Sequence, residues 1–168
     1  DGVYEQLLEG EEQVFLGSVP SGLEPALNAY LTEASLLVAT ALQHLGYVGR
    51  CSFDFIVSNG TPYFVECNGR WGGTSTPMSL MDRLFPQGRP SYRATDFVVP
   101  HLAGKPFATL QQLIGDDLYD ARTGSGHFVL YNMGCLDAYG KFDVIAISDD
   151  AVGAQALVER RLPELLDI

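Results

Sequence analysis

Two runs rich in β-branched and aromatic residues, Arg50 to Ser58 and Pro62 to Asn68, meet at Asn59-Gly60. Runs of this kind joined by so short a connection fold back on each other as an antiparallel hairpin. Side chains alternate faces along a strand, so the pairing register decides which residues share a face. A two-residue loop, Asn59 and Gly60, sets position 54 opposite 65 and sends Asp54 and Glu66 to opposite faces. A three-residue loop, Asn59 to Thr61, sets 54 opposite 66 and 52 opposite 68. One face then reads Ser52, Asp54, Ile56, Phe64, Glu66, Asn68, and the other Phe53, Phe55, Val57, Tyr63, Val65, Cys67. Only the second register separates polar from apolar side chains, and Gly60 suits the left-handed position of a three-residue loop. The expected register is therefore the odd one.

That register brings two carboxylates and an amide to one end of a hairpin. Directly paired residues have Cβ atoms only ~5 Å apart, and two anions so close repel unless a proton or cation lies between them. An oxygen-only donor set of this size suits Mg²⁺, which takes one or two carboxylates and completes its shell with water and phosphate. There are too few ligands for a closed Ca²⁺ cage and no His or Cys for zinc. Arg70 follows Asn68 by two residues, where its planar guanidinium can hold a phosphate oxygen or pair with Glu66. Gly72-Gly73-Thr74 permits close backbone approach and is expected to present N–H groups to an anion.

Around the hairpin, Val3 to Leu8 and Gln13 to Gly17 read as paired strands across a Glu9-Gly-Glu-Glu12 turn. From Glu24 to Leu45 apolar residues recur at helical spacing, with Pro25 in the first turn and Gly46 at the stop. Met78 to Leu84 reads as a short helix and Ala94 to Leu102 as another, broken near Pro100; Leu110 to Leu113 has no clear pattern. The remainder reads strand (127–132), turn (137–141), strand (142–147), helix (149–166), the last capped by Ser148 or Asp149. This is an α+β order around an antiparallel sheet with flanking helices.

The net charge of −11 and scattered basic residues exclude a nucleic-acid surface. No apolar run reaches the ~18 residues of a membrane span, and no basic amphipathic helix suggests a membrane face. Three widely spaced cysteines fit neither a metal pattern nor a disulfide framework, so a cytoplasmic location is expected. Cys51 and Cys67, inside apolar strand patterns, read as buried thiols. The single tryptophan, Trp71, reads as packing, and His44, His101 and His127 have no visible partner. Paired-carboxylate glycoside hydrolysis needs carboxyls ~5–9 Å apart on facing elements, which adjacent carboxylates beside an Asn do not supply.

Asp54-Phe55, then Glu66-Cys67-Asn68 with Arg70 and Gly72-Gly73, is similar to the ATP-grasp signature: an acidic residue, a hairpin, Glu-x-Asn, then x-Arg. Gly46-Tyr-Val-Gly49 after a long helix matches the family's approach to this strand, and Val3 to Leu8 resembles the strand after the adenine hinge. Within the superfamily, Asn68 to Pro77 is most similar to peptide ligases of the pheganomycin type. The resemblance is strong over residues 1–80 and weak afterwards. It implies an ATP-grasp C-terminal subdomain over 1–105 with a strand-turn-strand-helix extension over 106–168. It also implies a carboxylate–amine ligase that binds ATP with Mg²⁺ or Mn²⁺, phosphorylates a small carboxylate or peptide, and joins it to an amine. Asp54, Glu66 and Asn68 become metal ligands, Gly72 and Gly73 part of the nucleotide site, and Arg70 the catalytic group on transferred phosphate or substrate carboxylate. The glycine-rich loop, ATP-gripping lysines and hinge of such enzymes are absent from this sequence, which starts at Asp1 in strand-like residues. The expectation is an upstream part of the same protein, and an inactive isolated segment; the alternative is a non-catalytic nucleotide- or metal-binding module.

Overall fold

A computed structural model describes residues 2–11 and 14–168, and the α+β class holds. In chain order the elements are β1 (Tyr4–Glu9), β2 (Val14–Pro20), α1 (Pro25–His44), β3 (Ser52–Ser58), β4 (Thr61–Asn68), α2 (Ser75–Leu84), β5 (Ser91–Val98), α3 (Phe107–Ile114), β6 (Phe128–Tyr131), α4 (Leu136–Tyr139), β7 (Lys141–Ser148), α5 (Ala151–Ala156) and α6 (Leu162–Leu166). A mostly antiparallel five-stranded sheet runs β1-β2-β5-β7-β6, and β3 pairs only with β4. Glu12 and Gln13, in the expected first turn and its partner strand, lie outside the described residues. Among the described residues no helix is long and apolar enough to cross a membrane.

The chain divides into two compact units, Asp1–Glu5 with Pro20–Thr76 and Gln6–Val19 with Pro77–Ile168. The second unit holds the principal core. Phe142, Val144 and Ala146 alternate along β7 and are fully buried. They cluster with Phe128, with Leu110 and Ile114 of α3, and with Val158, Leu162 and Leu166 of the last helix. Phe97 stacks on its cross-strand partner Phe142 at 6.1 Å. Gly17 stands where β2 meets β5, and a Cβ there would run into the Ala94 carbonyl, so only glycine lets the strands approach.

In the first unit, Pro25 opens α1 and Gly46 (φ 90°) closes it, its N–H bonded to the Gln43 carbonyl. Only Leu31 of α1 is buried; Tyr30, Leu37 and Leu45 are exposed.

Three expectations fail. Ser91–Val98 is a strand, not part of a helix over 94–102, and the helical residues after it are a single turn, Pro100–Leu102. Tyr92 and Ala94 are buried between half-buried Ser91 and Arg93, but buried Thr95 breaks the alternation after four residues. The 137–141 turn is replaced by the helical turn α4, ended by Gly140 (φ 64°). The last helix is capped by Asp150, which accepts from the Gly153 N–H at 2.6 Å, rather than by Ser148 or Asp149.

Candidate functional site

The hairpin turn is Asn59-Gly60, both in the left-handed region (φ 49° and 75°), with Ser58 opposite Thr61. This two-residue turn matches the strand twist, and Asn-Gly is its strongest sequence signal. The three-residue loop is therefore a correction. Asp54 nevertheless stands opposite Glu66, and Ser52 opposite Asn68, because the register shifts by one between Asp54 and Phe55. Val65 is left without a cross-strand partner, a β-bulge that re-aims the strand end. The shift also moves Phe64 from the polar to the apolar face, where its ring lies 5.5 Å from Phe55 and 6.2 Å from Phe53. Tyr63 takes its place on the Asp54 face, opposite Ile56.

At the open end of the hairpin, Asn68 Nδ2 donates to Asp54 Oδ2 at 3.2 Å. The structure thus brings Asp54, Glu66 and Asn68 together. Asp54 and Asn68 are half-buried and Glu66 is exposed. No cluster of three His, Cys, Asp or Glu side chains occurs among the described residues, so the third donor here is an amide. Two carboxylates and an amide oxygen fit a hard, six-coordinate cation that keeps water and phosphate in its shell. To offer Oδ1 rather than Nδ2, the Asn68 amide turns over about its terminal torsion, which is soft.

Arg70 is exposed and makes no hydrogen bond or ion pair among the described residues, so it is not the partner of Glu66. Its Nη1 lies 3.7 Å from where a Cβ on Gly72 would stand. The Gly72 N–H does not face open space as expected: it donates to Ser75 Oγ at 3.0 Å, while the Ser75 N–H returns a bond to the Gly72 carbonyl. Gly73 is exposed at the next position.

Tyr47 is a positioning residue that the sequence reading missed. Its hydroxyl donates to the Arg50 carbonyl at 2.6 Å, and its ring packs against both Gly49 and Gly69. It thereby ties the start of β3 to the residue between Asn68 and Arg70. The signal was present as two glycines flanking one aromatic in space, not in sequence. Trp71 donates to Thr76 Oγ1 at 2.9 Å, and the Arg50 guanidinium sits over its ring at 5.1 Å. Cys67 is exposed and Cys51 half-buried, against the expectation of buried thiols, because the apolar hairpin face is only partly covered.

A second polar group lies on the sheet. Asp96 and Asp143 stand directly opposite each other on β5 and β7, with Tyr131 opposite Asp143 on β6. Lys141 Nζ reaches Asp96 at 2.5 Å, and Asn132 Nδ2 donates to Asp143 at 2.6 Å. Burial first, and the Asp96 charge with it, hold the Asp143 carboxyl above its ordinary value, against the Asn132 bond and Lys141. Burial, then Asp143 and Asp96, push the Tyr131 phenol up.

No protein-family model, no curated protein and no solved structure matches this chain.

Proposed function

We propose that this chain carries the metal–phosphate side of an ATP-dependent carboxylate–amine ligase, the C-terminal subdomain of an ATP-grasp enzyme. The observation that carries the reading is the bulged register, which sets Asp54 opposite Glu66 with Asn68 bonded beside them. Asp54, Glu66 and Asn68 hold Mg²⁺ or Mn²⁺. When bound, the cation neutralises charge on the phosphates of ATP. Arg70, with no carboxylate of its own, takes an oxygen of the transferred phosphoryl group or of the substrate carboxylate. Gly72 and Gly73 contribute room for close approach, since the Gly72 N–H is already bonded. Tyr47 keeps the Asn68–Arg70 segment in place through Gly69. In such a ligase a carboxylate oxygen of the substrate would attack the γ-phosphorus of ATP with ADP leaving, and the amine would then attack the acyl carbon, releasing phosphate and a proton. Positioning and charge neutralisation supply most of the acceleration.

A second reading, a metal- or nucleotide-binding module without catalysis, is favoured by one observation. The only lysines are Lys105 and Lys141, both outside the unit that holds the hairpin.

The test is ATP consumption by the native protein as a function of Mg²⁺ or Mn²⁺, with Glu66→Gln beside the wild type. The substitution preserves volume and removes a ligand charge, so turnover should fall roughly 10- to 100-fold or more with circular dichroism unchanged. Full turnover by the variant at limiting metal sinks the ligand assignment. Metal-dependent ATP binding without consumption selects the second reading.

A further inference from the structure

The helix from Ala151 to Leu166 contains Pro163. Proline has no N–H for the Glu159 carbonyl, and its ring crowds that carbonyl. The backbone widens there into a π-helical turn over Leu157–Arg161, and regular helix resumes at Leu162 with Pro163 in its first turn. Such turns inside helices occur frequently at functional sites. This one carries Arg160 and Arg161 to the edge of an open groove of about 420 Å³, lined also by Asp117, His127, Ser148 and Glu164.

The charges in the groove are not equivalent. Arg161 bonds Asp117 at 2.6 Å and lies 3.7 Å from Glu164, so it occupies both carboxylates. Arg160 has no hydrogen bond or ion pair among the described residues, in a chain where 21 acidic residues face 10 basic ones. His127 Nδ1 lies 3.3 Å from the Ile147 carbonyl. A carbonyl only accepts, so Nδ1 carries the hydrogen and Nε2 faces the groove side of the ring as an acceptor only. The Ser148 hydroxyl likewise has no partner among the described residues. It is given space by Gly153, whose missing Cβ would fall on Ser148 Oγ. Glycine inside a helix is destabilising by up to ~1 kcal/mol relative to alanine, so the space comes at the expense of helix stability.

We infer that this groove, walled on one side by His127, is a binding site for a phosphate group held by the Arg160 guanidinium and the Ser148 hydroxyl. A guanidinium fork and a hydroxyl match the oxygens of a tetrahedral anion. With Asp117 and Glu164 bound to Arg161, Arg160 is the cation left to meet the anion. The site lies in the second unit and uses none of the hairpin residues, so it stands or falls separately from the ligase reading. Free and esterified phosphate share the chemistry the site reads, a tetrahedral oxyanion.

The experiment is an NMR titration of the protein with inorganic phosphate, a phosphomonoester such as glycerol phosphate, and acetate. The amides of His127, Ser148 and Arg160 should shift together and saturate with a dissociation constant of about 1 mM or tighter. Saturation by both phosphates identifies the oxyanion as the ligand, and saturation by the ester alone assigns the site to esterified phosphate. Arg160 is exposed, so Arg160→Ala should fold normally and weaken binding about tenfold or more. Ser148→Ala should weaken it by a smaller factor. Equal affinity for acetate, shifts centred elsewhere, or undiminished binding by Arg160→Ala would overturn the inference.

Discussion

Asp143 and Asp96 are opposed on neighbouring strands, and Lys141 and Asn132 are what make the arrangement tolerable. The Asp143 carboxyl is raised in the fold, so the native state holds its proton over a pH window in which the unfolded chain has released it. Stability therefore falls as pH rises from the ordinary carboxylate value through the raised one, and is level above it. Asp143→Asn removes that fall. At neutral pH the variant should be more stable than wild type by up to about 1 kcal/mol, the scale for charges partly screened by water. At a pH where both forms are neutral the two should melt together. Destabilisation of the variant confined to neutral pH would mean that the Asn132 bond to the carboxylate outweighs the repulsion. Lys141→Gln should act in the opposite sense, since it strips Asp96 of its cation beside a second carboxylate.

At the scale of elements, the hairpin holds one residue more on β4 than on β3, and the chain parks it at Val65. Deleting Val65 should give a regular hairpin with the same turn and Asp54 still opposite Glu66. Deleting Cys67 should leave the bulge but carry Asn68 to the apolar face. Both deletions should keep the cross-strand contacts between Asp54 and Glu66, whereas Mn²⁺ relaxation enhancement should be kept by the first and lost by the second. Retention of the enhancement by both would sever the link between register and ion binding. The sequence reading reached the right pairing of 54 with 66 through the wrong loop. The polar/apolar pattern constrains the strand ends, but Asn59-Gly60 prefers the two-residue turn, and a bulge reconciles the two. The long helix α1 was legible from spacing and its terminal Pro25 and Gly46. β5 was not, because its alternation spans only Ser91 to Ala94 before buried Thr95 breaks it. The π-helical turn had a visible cause in Pro163, but one proline gives only the place of a disturbance and not its form.

For the whole molecule, the two units differ sharply in what they bury. The second has a continuous apolar cluster, whereas in the first Leu31 is the one buried apolar side chain among the described residues. A two-stranded sheet with exposed Ile56, Tyr63, Phe64 and Val65 has little to hold it closed. Amides of β3 and β4 should exchange with solvent at least about a hundredfold faster than those of β7, through local opening. Exchange at one common rate would contradict this. A ligand bound to the native hairpin stabilises it by mass action, so Mg-ATP added to the native protein should slow exchange in β3 and β4 and leave β7 unchanged.

Trp71 is the only tryptophan, and it sits one residue from Arg70, exposed, with a guanidinium over its ring and its indole N–H on Thr76. Red-edge excitation selects indole over the eight tyrosines, so the emission of the unlabelled protein reports on this one corner alone. An anion drawn to Arg70 changes the field across the excited indole, and the colour and intensity of the light should move with it. Loosening of the first unit would likewise appear in this emission while the larger sheet stays dark. The chain thus carries its own optical probe beside Arg70, and a metal or nucleotide titration needs no dye.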